Sequence, residues 1–294
     1  MAETSQGHLL AVAVGNTRTR FGVFHGDELS DQQSLPNADV AALVQAVLKA
    51  AEGEHGVSIV IADVNPKVAD QLQKALEDAG EENVFRIGRD IEIPMTHSLE
   101  DGSTLGQDRL LCAFGAFARA KQACVVVDAG TAVTVDFVDG EGVFHGGVIA
   151  PGLNMMLQAM HEKTAKLPAL AYQTPERGGA LQIGDAKRPQ GEVVDEGPAQ
   201  PSVPNPFGKD TKNAMLLGVT NSVIGLVRYT AEQYAEFFGA YPQVVATGGD
   251  APALFGQEAT EGGGVVESIV PDLQLIGILE VCRAVEEMRA SGME

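Results

Sequence analysis

The 294-residue chain predicts an α/β protein built from two copies of one unit. Short β-branched runs alternate with stretches of helix formers along most of its length. The stretches LLAVAVGNTRTRFGVFHGDE, from Leu9, and CVVVDAGTAVTVDFVDGEG, from Cys124, share one order of parts. Each has an apolar strand, a Gly-Thr turn, a β-rich return strand and an acidic-Gly turn, which is the mark of a duplicated supersecondary unit. Three glycine-containing turns, Gly15-Asn16-Thr17, Asp128-Ala129-Gly130-Thr131 and Thr247-Gly248-Gly249-Asp250, each follow an apolar run. Length favours two domains over one, and the restart at Cys124 divides the chain into residues 1–121 and 122–294.

Taken in order, residues 9–14 form a buried strand and residues 20–24 return as a second one. A polar stretch follows, and residues 38–51 are nearly all helix formers. Residues 57–62 are a β-branched strand, with Pro66 placed for the first turn of the next helix. Residues 84–87 form a short strand. Residues 106–120 carry Leu110, Leu111, Phe114 and Phe117 at helical spacing. The second unit opens with strands at 124–127 and 133–138. Gly146-Gly147 implies close backbone approach, to a ligand or to a neighbouring strand. Met155 and Met156 read as core packing. Residues 172–207 hold six prolines among glycine and charged residues and read as a long loop or insertion. A long helix spans 211–238, a strand spans 243–246, and a helix over about 276–288 closes the chain.

Composition sets the outer limits. The chain carries 20 Lys+Arg against 40 Asp+Glu, a net charge of −20. Nucleic acid and anionic membrane surfaces are bound through Lys and Arg, so neither is an expected partner. No uninterrupted apolar run reaches the ~18 residues of a bilayer span. Cys112, Cys124 and Cys282 form no CxxC pair and read as reduced thiols of a cytoplasmic protein. His97 and His145 have no metal-ligand spacing and read as loop or surface residues.

The glycine turns are the candidate chemistry. Glycine lets the backbone approach a phosphate closely, and N–H groups exposed in such turns point at anions. Neither a Walker A sequence nor GxGxxG is present, which disfavours P-loop and Rossmann sites. Asp108, at the head of a helix, suits a general base for a hydroxyl whose pKa lies far above neutral. It equally suits a helix N-terminal acid favoured by the dipole. Arg109 suits bidentate binding of a substrate carboxylate, or an ion pair.

Two hairpins with such turns, followed by a late Gly-Gly turn, resemble the two phosphate motifs and the adenosine motif of the actin/hexokinase/Hsp70-like superfamily. Within it, GNTRTRFGVF, GQDRL, VVVDAGTAVTVDFVD, GGVIAPGL, KLP, GKDT, TGGDA and PDLQLIG resemble type III pantothenate kinases, in that family's order. The resemblance implies duplicated actin-like (ribonuclease H-like) halves with mixed sheets, flanking helices and a cleft between them. It implies ATP-dependent phosphorylation of pantothenate to 4'-phosphopantothenate, the first step of coenzyme A biosynthesis. Ala13, Val14, Gly15, Asn16, Thr17, Arg18, Thr19 and Arg20 match the family's first phosphate loop, and Thr131 matches a further ATP contact. Gly106, Gln107, Asp108, Arg109 and Thr211 match substrate contacts, with Asp108 in the place of the catalytic base. Asp128 matches the position that binds a monovalent cation, K+ or NH4+. Mg2+ would accompany ATP, and the family works as a homodimer.

The chain departs from the family pattern at three places. Ala13 stands where the first loop normally opens with an acid, and Leu99 stands where a substrate-contacting tyrosine is usual. The proline-rich insertion precedes Thr211. Ala13 sustains the alternative of a catalytically impaired homologue that binds nucleotide or pantothenate as a regulator.

Overall fold

The computed structural model describes residues 8–52, 56–176, 206–261 and 264–292. The first sheet holds β1 (Leu9–Val14), β2 (Arg18–His25), β3 (Glu28–Pro36), β4 (Ser58–Asp63) and β5 (Val84–Arg86) in the order β3-β2-β1-β4-β5. The second holds β6 (Cys124–Ala129), β7 (Ala132–Val138), β8 (Phe144–Pro151), β9 (Gln243–Thr247) and β10 (Ser268–Ile269) in the order β8-β7-β6-β9-β10. In each sheet the first three strands form an antiparallel meander, and the last two run parallel to the first. The two halves therefore correspond strand for strand, β1 with β6 through β5 with β10. This is the duplicated actin-like architecture with mixed sheets that the motifs imply.

The helices follow the same repeat. α1 (Val40–Ala51) and α2 (Pro66–Asp78) serve the first half, with Asp39 and Asn65 side chains accepting from N–H groups of the first turns. Pro66 occupies the helix start, where its missing N–H is harmless. α4 (Leu153–Lys163), α5 (Thr211–Phe238) and α6 (Ala251–Glu261) serve the second half. α3 (Gln107–Ala120) and α7 (Leu273–Ala290) end the respective units and pack together between the sheets.

Strand periodicity sorts side chains into three layers. Leu10, Val12 and Val14 point under α1 and α2, and Val125, Val127 and Ala129 point under α5 and α6. Leu9, Ala11, Ala13, Cys124 and Val126 point into the middle layer with α3 and α7. A methyl group on Gly277 would sit 2.2 Å from the Leu111 carbonyl oxygen, and one on Gly115 would sit 3.0 Å from the Gly277 Cα. Backbone, not a flexible side chain, fills that space. Gly277→Ala is therefore expected to destabilise by about 1–3 kcal/mol through overpacking. A urea midpoint unchanged from wild type would show that α3 and α7 separate freely.

Several expectations are revised. β3 lies in the stretch read only as polar, and β8, α4 and α6 were not anticipated. Asp128 and Ala129 end β6 and are not part of a free turn. Met155 is 45% exposed, while Met156 packs on the core. Residues 177–205 of the proline-rich insertion lie outside the described residues. α5 contains an 18-residue window of mean hydropathy 1.2, half of it buried. Its Met215, Leu216, Val219, Val223 and Val227 pack on the second sheet, as in a core helix.

Candidate active site

All three glycine turns meet. Thr17 Oγ1 lies 3.4 Å from Thr131 Oγ1, joining the first turn to the second across the two halves. The Asp250 N–H donates to the Ala129 carbonyl at 2.9 Å, joining the third turn to the second. Arg20 extends from β2 until Nη2 lies 3.3 Å from the place where a Cβ on Gly249 would stand, closing the triangle. Gly248 is required at its position, because its φ is +93° and a Cβ would fall 2.4 Å from Asp128 Oδ1. The Pro151-Gly152 segment, missed as a site element in the sequence, closes the far side. The Gly152 N–H donates to the Thr131 carbonyl at 3.1 Å, which seats the start of α4 against the second turn.

The charges of Asp108 and Asp136 both act on the Asp128 carboxyl at this junction. Asp108 is the second residue of α3, and its Oδ1 accepts from the Arg109 N–H at 2.9 Å. It thus satisfies one N–H of the first turn while remaining part-buried. Burial first, then the Asp108 charge and to a lesser degree Asp136, raise the Asp128 carboxyl to about 6 against the opposing charge of Arg20. Cys112, buried beneath them, has its thiol pushed well up by burial first and by the same three carboxylates next. It is not a nucleophile.

The Asp128 value sets a pH dependence with a definite sign. Between the ordinary value of 3.8 and about 6 the folded chain holds a proton that the unfolded chain has released. Stability therefore falls as pH rises through that window, while any activity needing the Asp128 anion rises. Thermal midpoints over this window should show the slope in wild type and a flatter curve in Asp128→Asn.

The other sequence candidates divide. Ala13 is 2% exposed and Val14 is fully buried, so neither offers a side chain to a ligand. Thr19 is buried and donates to Asn37 Oδ1 at 2.8 Å. Arg18 is exposed and bonds Ser34 on β3 through Nε at 2.9 Å. Asn16 presents its carbonyl to Asn65 Nδ2 at 3.4 Å. The Gln107 Oε1 is buried without a hydrogen-bond partner, an orphan acceptor of the kind a ligand satisfies. Its amide packs so closely on Gly88 that a Cβ there would collide with it. A Cβ on Gly106 would sit 2.5 Å from Asp108 Oδ1 and would displace that carboxylate. Thr211 is exposed at the first turn of α5, and no hydrogen bond among the described residues ties its side chain to the cleft.

Arg109 was expected to be open for a carboxylate. It is already paired with Asp136 on β7, through Nε at 3.1 Å and through Nη2. Leu99 packs against Gly146. His145, read as an ordinary loop or surface residue, is held on both sides, with Nε2 2.7 Å from Asp139 Oδ2 and Nδ1 3.0 Å from Ser98 Oγ. Gly146-Gly147 serves the neighbouring strand: a Cβ on Gly147 would fall 2.0 Å from the Val135 carbonyl oxygen and 2.7 Å from Asp136 Oδ1. A cavity of about 820 Å³ lies elsewhere, between α7 and the N-terminal ends of β1, β4 and β5, lined by Phe24, Val60 and Arg283 among others. It is not this site.

Among the described residues no three His, Cys, Asp or Glu side chains are grouped to enclose an ion. Magnesium arriving on a nucleotide needs no enclosure, since it keeps waters and takes one or two carboxylates. Asp128, whose carboxylate lies where the turns meet, fits that demand as it fits a monovalent cation.

Comparison with known proteins gives the family. The profile of the type III pantothenate kinase family matches residues 9–233. A type III pantothenate kinase of Rhodospirillum rubrum is 32% identical over 284 residues, covering 94% of this chain and 98% of the relative. One from Caulobacter vibrioides is 31% identical over 283 residues, covering 94% and 97%. A solved structure from Campylobacter jejuni, named for the Baf family of transcriptional activators, is 19% identical with a TM-score of 0.51. It covers 95% of this chain and 99% of its own, and speaks for the fold alone. On the match along three quarters of its length and on these relatives, the chain belongs to the type III pantothenate kinase family.

Proposed function

We propose that this protein transfers the γ-phosphoryl group of ATP to the terminal hydroxyl of pantothenate, with Asp108 as general base. The observation that carries the reading is the convergence of three glycine turns from both halves, Thr17 on Thr131, Asp250 on Ala129 and Arg20 on Gly249, at the Asp128 carboxylate on which the Asp108 charge acts. The substrate hydroxyl gives its proton to Asp108 as its oxygen bonds to phosphorus. The bond from phosphorus to the β–γ bridging oxygen breaks, and ADP leaves. Phosphoryl transfer depends mainly on alignment and charge stabilisation. Gly15, Asn16, Thr17 and Thr131 line the phosphates, and Arg20 spans the two halves to meet their charge. Magnesium brought with ATP would neutralise phosphate charge, and Asp128 would hold a potassium or ammonium ion that adds to this at the second turn.

Gly106, Gln107 and Arg109 form the pantothenate side, with the orphan Gln107 Oε1 accepting from a substrate donor and Thr211 closing from α5. A division into halves at residues 121/122 is supported by the two sheets, β1–β5 before it and β6–β10 after it. Exposed Tyr229, Phe237 and Tyr241, on and just beyond α5, support a homodimer that covers them. The acidic surface and reduced thiols support a cytoplasmic site of action.

A second reading rests on one observation, the buried Ala13 in place of an acid: a homologue that binds nucleotide or pantothenate without turnover. ADP release measured with and without pantothenate, magnesium and potassium decides between them. Release that requires pantothenate supports the kinase. Calorimetric binding of pantothenate with no release supports the regulator.

A further inference from the structure

We propose that Asp136 is a positioning residue that holds the Arg109 guanidinium by one edge and thereby presents its other edge to the substrate carboxylate. The inference rests on the reading above, in which Arg109 meets that carboxylate. A guanidinium offers five N–H donors in a rigid plane. Asp136 takes the Nε–Nη2 edge, with Oδ2 3.1 Å from Nε and Oδ1 on Nη2. No hydrogen bond among the described residues uses Nη1, so the Nη1–Nη2 edge remains for a second carboxylate.

The surroundings hold this pair in place. Asp136 lies in mid-strand on β7, opposite Val126 on one side and Gly147 on the other, and its side chain is 2% exposed. A side chain at position 147 would occupy the space of its carboxylate, so the glycine admits the acid. The Phe144 ring stands 5.8 Å from Arg109 Cζ and limits the guanidinium further. Arg109 itself is 16% exposed, open enough to be reached. Arg109 also follows Asp108 directly, so an orientation imposed at one residue is carried to the carboxylate held in the base position.

A buried ion pair is weak as a stabilising device, because desolvation offsets much of the attraction. Its consequence here is geometric. An arginine already immobilised does not lose its rotamer freedom when substrate binds, which spares an ordering cost that is appreciable for a long side chain. The opposing effect is that Asp136 dilutes the positive charge that the substrate meets. The two effects predict opposite results.

The test compares KM for pantothenate with KM for an uncharged N-alkyl pantothenamide, in wild type, Asp136→Asn and Arg109→Gln. Asp136→Asn is expected to raise KM for pantothenate on the order of tenfold and to reduce the preference for the carboxylate over the amide by a similar factor. A purely structural loss would lower both reactions together and leave the preference intact, whereas charge dilution outweighing order would lower KM for pantothenate alone and raise the preference. Either outcome overturns the proposal. The double variant should lose little preference beyond Arg109→Gln alone. If Arg109→Gln keeps the preference, the assignment of Arg109 to the carboxylate falls, whatever Asp136→Asn does. If Asp136→Asn fails to fold, Arg109→Lys serves, since it keeps the charge and loses the planar fork. An undiminished preference in Arg109→Lys would overturn the orienting role. A wild type that neither binds nor phosphorylates pantothenate removes both readings.

Discussion

Asp108→Asn is expected to lower turnover by roughly 10²–10⁴-fold while leaving nucleotide affinity within a few-fold of wild type. The substitution is nearly isosteric, and the Asn oxygen can still accept from the Arg109 N–H now bonded at 2.9 Å, so that first-turn hydrogen bond is kept. What is lost is a base able to take the proton of a hydroxyl. The loss of charge at a helix N-terminus adds a stability cost of about 0.3–1 kcal/mol, too small to unfold the chain. A coupled ADP-release assay gives turnover, and calorimetry with a non-hydrolysable ATP analogue gives affinity. The same variant has a second readout: Asp108 is one of the charges that raise Asp128 toward about 6. Its removal should shift the Asp128 titration downward, and the acid limb of any residual activity with it. Near-normal turnover would take Asp108 out of its role.

The contrast between what was legible and what was not has a physical basis. β1, β2, β6 and β7 were readable because they are β-branched runs between turns, and α5 because its helical pattern runs unbroken from an Asp210 cap to Gly239. The duplication was readable from two hairpins, and the sheet orders extend it to five strands and the helices of each half. β3 escaped because its sequence, ELSDQQSLP, is an edge strand wet on both faces, leaving no alternation to see. α4 escaped because it starts at Gly152 with no side-chain cap. At the site, the glycine turns and the GxDR segment were visible as local motifs. The partnership of Arg109 with Asp136 was not, because it joins residues 27 apart in sequence through the packing of a helix on a strand. Nor was Arg20 readable as the link between halves. Its reach to Gly249 depends on how the two sheets face each other, which no local spacing encodes.

That pairing of halves also frames what Ala13 does. Counting back from Gly15 and Gly130, the first glycines of the matching turns, Ala13 and Asp128 occupy equivalent places in β1 and β6, both facing the middle layer. One half keeps the acid and the other has a methyl group. Ala13 lies directly opposite Arg20 in the β1–β2 register and beside Ala62 in β4. A carboxylate at position 13 would therefore emerge on the same face as Arg20, whose charge already acts on Asp128. Ala13→Asp is expected to raise magnesium-dependent turnover on the order of 10²-fold, the scale of a charge-stabilising group at a reacting centre. The variant should also be less stable than its parent without ligand, since a buried acid is only partly compensated by one arginine. Magnesium with nucleotide should restore that stability by binding the folded form. Gain of turnover together with a magnesium-dependent rise in the thermal midpoint would locate the missing charge in the first loop. A parent silent in ADP release and a variant that gains nothing would instead mean that the cleft binds without transferring, since the carboxylates at positions 108 and 128 would then be insufficient even with the third restored.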